Sequence, residues 1–269
     1  MRDTMDRNEL RDRLAFARTI AREAAAIALG YFRGGGYEVE AKADQSPVTR
    51  ADREAELHLR ACIAAGYPDD GILGEEYPEV PGRSGYRWIL DPIDGTKAFV
   101  HGVPLFGTMV GVERDRVSQL GVVEFPALDE VIWAARGEGC WHLLRGEDTP
   151  RRARVSTVST MAEALFLVTD VDGFEAIGAQ TIYDRIRRAV RLQRGWNDCY
   201  AYNLVATGRA EFVIDTKMNV WDCAALQPIL EEAGGRFTSW DGEPTIWDRR
   251  IVGCNAALHP KLLELLANG

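Results

Sequence analysis

The chain lacks any apolar run approaching the ~20 residues that a membrane-spanning helix needs. Its first segment, MRDTMDRNELRDRLAF, is charged throughout where a signal peptide carries an apolar core, so a cytoplasmic protein is expected. Positive charge is in deficit. Lys and Arg number 32 against 41 Asp and Glu, a formal net charge of −9, which argues against a nucleic-acid backbone or an anionic membrane as partner. Cysteine is scarce and unpatterned: Cys62, Cys140, Cys199, Cys223 and Cys254 are an odd number, without a C-x-x-C pair or a neighbouring histidine at zinc spacing. All five are expected to be reduced and buried. The four histidines are as dispersed and read as surface or packing residues, with His101 the one nearest a motif of interest. Internal repeats and low-complexity tracts are absent as well.

What remains is an ordinary globular composition, 46% hydrophobic and 27% charged over 269 residues, enough for one large domain or two small ones. Apolar residues recur on one helical face from Glu9 to Phe32, and RGGGY then stops the helix. A second helix is expected to start at Thr49, with Thr49 and Asp52 at capping-box spacing, and to end at Gly66 and Pro68. DDGILGEE and GYRWILD read as short buried strands, and the segments from LFGTMVGVERD to DEVIWAARGEGCWHL as an antiparallel meander. The polar stretch at residues 144–156 divides the chain into residues 1–148 and 149–269, beyond which strand and helix signals alternate. Pro228 is a blemish inside the last long helical pattern, VWDCAALQPILEEAGG, where it should kink the segment.

The informative string is WILDPIDGTKAF, residues 88–99, in which a hydrophobic strand runs into Asp91 and Asp94 across a turn and then into a helix. Two adjacent acids repel unless a cation, a proton or solvent relieves them. Gly95 allows close approach to the backbone, and the helix opened by Thr96 presents N–H groups that have no internal partner. Together these features suit a metal-bound phosphate. Read alone, Asp94 serves equally as a helix cap and Asp91 as a strand end in solvent. A D-x-D-G-T phosphatase with an aspartyl nucleophile is excluded, because Pro92 occupies the nucleophile position.

Further acids are available. Glu75 and Glu76 end the preceding strand, Asp222 follows Trp221 at a helix start, and Asp52 sits in its capping box. Each has a plain structural use as a solvated strand end or a cap. Their coincidence with the string above is more specific. GEE, then WILDPIDGTKAFVHGVP, then VWDCAALQPILEEAGG resembles, in the same order and over nearly the whole chain, the inositol-monophosphatase family of Mg²⁺-dependent, lithium-sensitive phosphatases.

That resemblance implies an α/β fold, an αβαβα sandwich with an antiparallel sheet in the N-terminal half and a mixed sheet in the C-terminal half, assembled as a homodimer. It also implies two to three Mg²⁺ ions per active site, with Mn²⁺ as a substitute. By similarity, Glu75, Asp91 and the carbonyl of Ile93 would hold the first ion, and Asp91, Asp94 and Asp222 the second. Glu75 and water would hold a third. Thr96, with Asp52 behind it, would orient the attacking water, and the N–H groups of Gly95 and Thr96 would take phosphate oxygens together with Lys42. The substrate would be a small-molecule phosphate monoester.

Two segments of the second half, RGWNDCYAYNLVATG and FVIDTKMNVWD, place Asp198, Asp215 and Trp196 by similarity around the organic part of the substrate. Two acids and an aromatic suit a cationic alcohol, and the motifs lie closer to the histidinol-phosphatase branch than to inositol-specific members. The expected activity is hydrolysis of histidinol phosphate in histidine biosynthesis. An inositol or broad sugar monophosphatase, with Asp215 on a sugar hydroxyl, is the alternative; a catalytically silent regulatory protein is disfavoured because every ligand type is present. The loop containing VTDVDG offers no decisive contact.

Overall fold

The computed structural model describes residues 2–34, 39–41, 47–144 and 146–267. The first half runs through α1 (Arg2–Gly34), β1 (Val39–Ala41), β2 (Pro47–Thr49), α2 (Arg50–Gly66), β3 (Gly71–Gly74), β4 (Tyr86–Asp94) and α3 (Thr96–Val100). It continues through β5 (Gly107–Arg114), β6 (Val117–Phe125), β7 (Glu130–Ala135), β8 (Gly139–Leu143) and β9 (Arg151–Arg152). Then follow β10 (Leu165–Leu167), α4 (Asp172–Ala176), α5 (Gln180–Ala189), β11 (Leu192–Arg194), α6 (Asp198–Ala206) and β12 (Phe212–Asp215). The chain closes with α7 (Val220–Ala224), α8 (Leu226–Glu232), β13 (Gly235–Ser239), β14 (Ile251–Asn255) and α9 (His259–Ala267).

These elements stack as five layers, helix on sheet on helix on sheet on helix. The apolar face of α1, with Ala17, Ile20, Ala21 and Ala24, packs together with Leu59 and Ile63 of α2 on one side of the first sheet. On its other side α6, α7 and α8 fill the space before the second sheet, in a core shared by Ile89, Val123, Tyr202, Leu230 and Phe237. Phe166, Phe212 and Val252 of the second sheet meet α5 and α9 beyond it. Each helix therefore buries one stripe and each sheet both faces, the usual reason that such layers form at all. The expected sandwich is present.

The first sheet has strand order β3-β4-β5-β6-β7-β8-β9 and is antiparallel except for the β3–β4 pair, which is parallel. Its last strand, β9, lies past residue 148 and pairs with β8. The second is mixed, in the order β11-β10-β12-β14-β13, with β10 parallel to both neighbours. No helix among the described residues is long and apolar enough to cross a membrane.

Pro228 does not kink a long helix, because the helix is already two. α7 ends at Ala224 and α8 begins at Leu226, which puts Pro228 in the first turn of α8, where a missing N–H is tolerated. The carbonyl that an uninterrupted helix would have joined to residue 228 is that of Ala224. Ser118 on β6 donates its hydroxyl to it at 2.5 Å. Gly121 of the same sheet makes room for this break: a Cβ there would lie 2.0 Å from the Ala225 carbonyl oxygen.

One expectation fails for the cysteines. All five are free, but Cys62 is only half-buried, and His58 stands four residues before it on α2, a spacing that places both on one helical face.

Candidate metal centre

Asp91 and Asp94 are three residues apart, and in a regular strand that spacing would point them to opposite faces. The structure places no turn between them. β4 continues through Asp94, and its pairing with β5 slips: Asp91 sits opposite Met109 and Asp94 opposite Gly107, so three steps on one strand match two on the other. This bulge turns both carboxylates toward one spot. Thr108 donates its hydroxyl to the Pro92 carbonyl at 2.8 Å and the Ile93 N–H donates to Oδ1 of Asp91 at 3.1 Å, which fix the bulge from both sides.

Glu75 arrives beside them because β3 runs parallel to β4 in a register that pairs Gly74 with Leu90, and the Glu75 N–H donates to the Leu90 carbonyl at 3.2 Å. The turn after β3 is held from below by Glu56, a fully buried residue of α2 that the sequence reading passed over. Its carboxylate accepts the N–H groups of Glu76 at 2.8 Å and Tyr77 at 3.2 Å, and Nε of Arg60 at 2.7 Å. The apolar-polar periodicity of α2 shows that Glu56 and Asp52 share a face, but not that the face is buried.

Asp222 comes from the other half of the chain. It is the third residue of α7, where its Oδ2 accepts the Asn219 N–H at 2.6 Å in a capping box, so its capping use is real and coexists with a second one. One oxygen each from Asp91, Asp94 and Asp222 lie within 4.8 Å of one another. Burial, reinforced by the negative charges of Glu75, Asp94, Asp222 and Asp52, pushes the Asp91 carboxyl well above the usual range. Asp94 is pushed up by burial and by Asp198 and Asp222, against the N–H of Cys199, which donates to its Oδ2 at 2.5 Å. Asp222 rises to about 7, chiefly through burial.

Asp52 caps α2 as expected, accepting the Thr49 N–H at 2.8 Å and hydroxyl at 2.6 Å through Oδ2. Its Oδ1 is buried without a hydrogen-bond partner among the described residues, and burial lifts its pKa to about 6. Buried acids with high pKa values, an orphaned carboxylate oxygen and a donor set made only of oxygen fit a hard divalent cation such as Mg²⁺. A thiolate-seeking metal would find no ionised sulfur here, since burial and the neighbouring acids hold Cys199 and Cys223 far above the usual thiol range.

α3 starts immediately after the bulge. Gly95 has φ 85°, and a Cβ there would meet the Leu105 carbonyl oxygen at 3.0 Å and Oδ2 of Asp198 at 3.1 Å, so only glycine suits the position. The Thr96 hydroxyl donates to the Ile93 carbonyl at 3.0 Å. The Ile93 carbonyl keeps a second lone pair.

Apart from Asp52, which stays behind the surface, the predicted site acids line one cavity of about 750 Å³. Glu75, Asp91, Ile93, Asp94, Gly95, Thr96 and Asp222 form its floor, and Asp198 and Asp215 its wall. Asp198 opens α6 with φ 51°, a conformation few residues other than glycine and asparagine accept, and its carboxylate is hydrogen-bonded to the Asn197 amide. Burial and Asp215 raise it to about 6, with Lys97 acting in the opposite sense. Asp215 is buried and accepts the Tyr202 hydroxyl at 2.8 Å.

Trp196 is not brought to this wall. Its side chain is exposed and absent from the lining, because the chain turns at Asn197 and directs Asp198 inward instead. Lys42 lies outside the described residues. The loop with VTDVDG, in contrast, does contribute. Thr169, Asp170 and Asp172 reach the cavity, and so do Lys97 and Lys217. The only sequence signal for the two acids was their D-x-D spacing before a helix start.

Residues 9–268 match the model of the inositol monophosphatase family. The chain is 41% identical over 257 residues to a histidinol-phosphatase of Chlorobaculum parvum, covering 95% of this chain and 97% of that protein. It is 35% identical to a histidinol-phosphatase of Mycobacterium tuberculosis over 96% and 99% of the two chains. The solved structure of a Thermotoga maritima IMPase superposes with a TM-score of 0.84 at 30% identity, over 96% of this chain and 97% of the other.

Proposed function

The chain belongs to the inositol monophosphatase family, and on that premise we propose that it is a histidinol-phosphatase, which hydrolyses histidinol phosphate to histidinol and inorganic phosphate with Mg²⁺. That it is a phosphoric monoester hydrolase follows from the family and from its histidinol-phosphatase relatives. The observation that carries the chemistry is the convergence of Asp91, Asp94 and Asp222 within 4.8 Å at the cavity floor. Divalent cations held there would supply charge neutralisation for a phosphate and a lowered pKa for a water.

The roles of the chain's own groups are these. Asp91, Asp94, Asp222, Glu75 and the Ile93 carbonyl hold the cations, two to three per site, with Mn²⁺ as an alternative to Mg²⁺. Thr96 would orient the attacking water, and the Glu75 carboxylate would take its proton; Asp52, expected behind Thr96, bonds Thr49 instead, while the Thr96 hydroxyl is on the Ile93 carbonyl. The N–H groups of Gly95 and Thr96 receive phosphate oxygens at the start of α3, and Lys42 adds a positive charge. No histidine or cysteine nucleophile is needed, consistent with Pro92 at the position where an aspartyl nucleophile would stand.

The wall of the cavity supports a cationic alcohol. Asp198, Asp215, Asp170 and Asp172 surround the space left for the organic part of the substrate. Lys97 and Lys217 on the same lining offset part of the repulsion between these acids and a phosphate dianion, and an ammonium group on the substrate would offset more of it, which a neutral polyol would not. The enzyme works as a cytoplasmic homodimer in this reading.

Phosphate release from purified enzyme with Mg²⁺ tests the substrate. The expected kcat/KM for L-histidinol phosphate exceeds that for inositol 1-phosphate at least 100-fold. Comparable or greater turnover of the inositol ester would replace the proposal with an inositol or broad sugar monophosphatase.

A further inference from the structure

We propose that Glu23, His58 and Cys62 form a second metal site, for a borderline-soft divalent cation such as Zn²⁺, that clips α1 to α2 away from the catalytic cavity.

His58 and Cys62 are one helical turn apart on the face of α2 that meets α1, and Glu23 reaches them from α1. One ligand atom of each lies within 4.8 Å of the other two. His58 Nε2 lies 2.9 Å from Oε2 of Glu23 and 3.6 Å from Sγ of Cys62, and that sulfur lies 4.0 Å from the same glutamate oxygen. A tetrahedral zinc with bonds of about 2.05 Å to nitrogen and oxygen and about 2.3 Å to sulfur has ligand–ligand edges of about 3.4 Å (N···O) and 3.6 Å (N···S, O···S). The three separations differ from those edges by half an ångström at most. Small rotations of the glutamate, the longest and most exposed of the three side chains, close the difference.

The ligand types select the ion. Thiolate, imidazole and carboxylate together suit Zn²⁺ and repel Mg²⁺, which prefers oxygen alone, so the two centres of this chain sort different cations. Three protein ligands leave a fourth position. The side chains of His58 and Glu23 are 34% and 50% exposed, so that position faces solvent and a hydrated ion can reach it. None of the three residues lines the catalytic cavity.

Without metal the cluster is a His58–Glu23 hydrogen bond beside a thiol, and the thiol of Cys62 is held up by burial and by the Glu23 charge. The same negative charge draws a cation in. Binding then transfers the Cys62 proton to solvent and replaces a weak, exposed contact between two helices by three coordinate bonds.

Cobalt(II) is the probe, because thiolate coordination gives it a near-ultraviolet charge-transfer band that an all-oxygen site cannot produce. Titrated into Mg²⁺-saturated enzyme, Co²⁺ should raise this band to one equivalent per chain, and Zn²⁺ should abolish it. Cys62→Ser should eliminate the band. Glu23→Gln, which leaves α2 untouched, and His58→Ala should weaken Co²⁺ binding at least 10-fold, while Mg²⁺-dependent turnover stays at the wild-type level in all three. Absence of the band in the wild type would overturn the proposal, as would a band that persists in Cys62→Ser, since its sulfur would then be one of the buried cysteines. Unchanged Co²⁺ affinity in Glu23→Gln and His58→Ala would overturn it equally.

Discussion

The backbone N–H of Cys199, at the start of α6, donates to Oδ2 of Asp94, at the end of β4, across 2.5 Å and 105 residues of chain. The carboxylate that crowds the cavity floor is thus oriented by the opposite half of the chain. Its neighbours Asp91 and Asp222 are oriented by a bulge and by a capping box. Beyond burial, Asp91 is destabilised by Asp94 and Asp222, and Asp94 by Asp198 and Asp222, until a cation relieves them.

Asp94→Asn should therefore act in opposite directions on stability and on catalysis. Removing one buried charge is expected to stabilise the metal-free protein by about 1 kcal/mol. Mg²⁺-dependent turnover should fall by more than about 100-fold, beyond the loss that follows removal of a group merely supporting a ligand. Thermal melts with and without Mg²⁺ read both: Mg²⁺ should raise the wild-type melting temperature and raise that of the variant, which keeps the first site but loses a ligand of the second, by less. A variant that keeps its activity would remove Asp94 from the mechanism.

Gly95→Ala tests the phosphate cradle. A Cβ at φ 85°, 3.0 Å from the Leu105 carbonyl oxygen, must push the first turn of α3 aside. The expected cost is about 1–2 kcal/mol in stability. The drop in kcat/KM should reach 10-fold or more, measured by phosphate release at saturating Mg²⁺.

Ser118→Ala tests the helix break over the first sheet. The Ala224 carbonyl would lose the hydroxyl that donates to it at 2.5 Å, inside a fully buried layer. A loss of about 1–3 kcal/mol is expected from an unsatisfied buried acceptor, read as a lower midpoint in urea with an unchanged slope. Ser118→Thr, which keeps the hydroxyl, should lose less than Ser118→Ala.

Glu130 predicts an acid limb in stability. Burial opposes its ionisation, but His142 at 2.6 Å, Asn203 at 2.7 Å and Arg209 at 2.6 Å all meet its Oε1, and together they bring the carboxyl down to about 2. A depressed folded value means that the stabilisation is complete above the unfolded pKa, about 4.5, and disappears as pH falls through about 2. Glu130→Gln should cost about 2 kcal/mol at pH 7, after allowance for solvent screening of Arg209. The gap between the two proteins should narrow as pH drops from about 4.5 towards 2 in denaturant titrations, whereas a gap independent of pH would assign the loss to packing.

Much of this was legible in the chain itself. The strand into Asp91, the capping box at Thr49, the helix at Thr96 and the meander that follows are local patterns, and local patterns survive folding. Asp91 and Asp94 illustrate where such reading stops. Their spacing suggested a turn, and only pairing with β5 shows that one extra residue within a strand does the work of a turn. Pro228 looked like a defect because the break at Ala225 leaves no mark in the hydrophobic pattern; its compensation is a serine 110 residues away. The pairing of Glu23 with His58 and Cys62 was hidden for the same reason, since it depends on how α1 lies against α2. Trp196 failed for a converse one: an aromatic next to a site motif was assumed to face the site, while the φ of Asp198 turns the acid inward.

The most direct test of the metal centre is a crystal structure of the enzyme with Mn²⁺, located by anomalous scattering. The account predicts at least two peaks on the cavity floor, each about 2.2 Å from carboxylate oxygens, with Asp91 shared between them and Asp94 and Asp222 on one. Peaks confined to other residues, or none at saturating Mn²⁺, would contradict it.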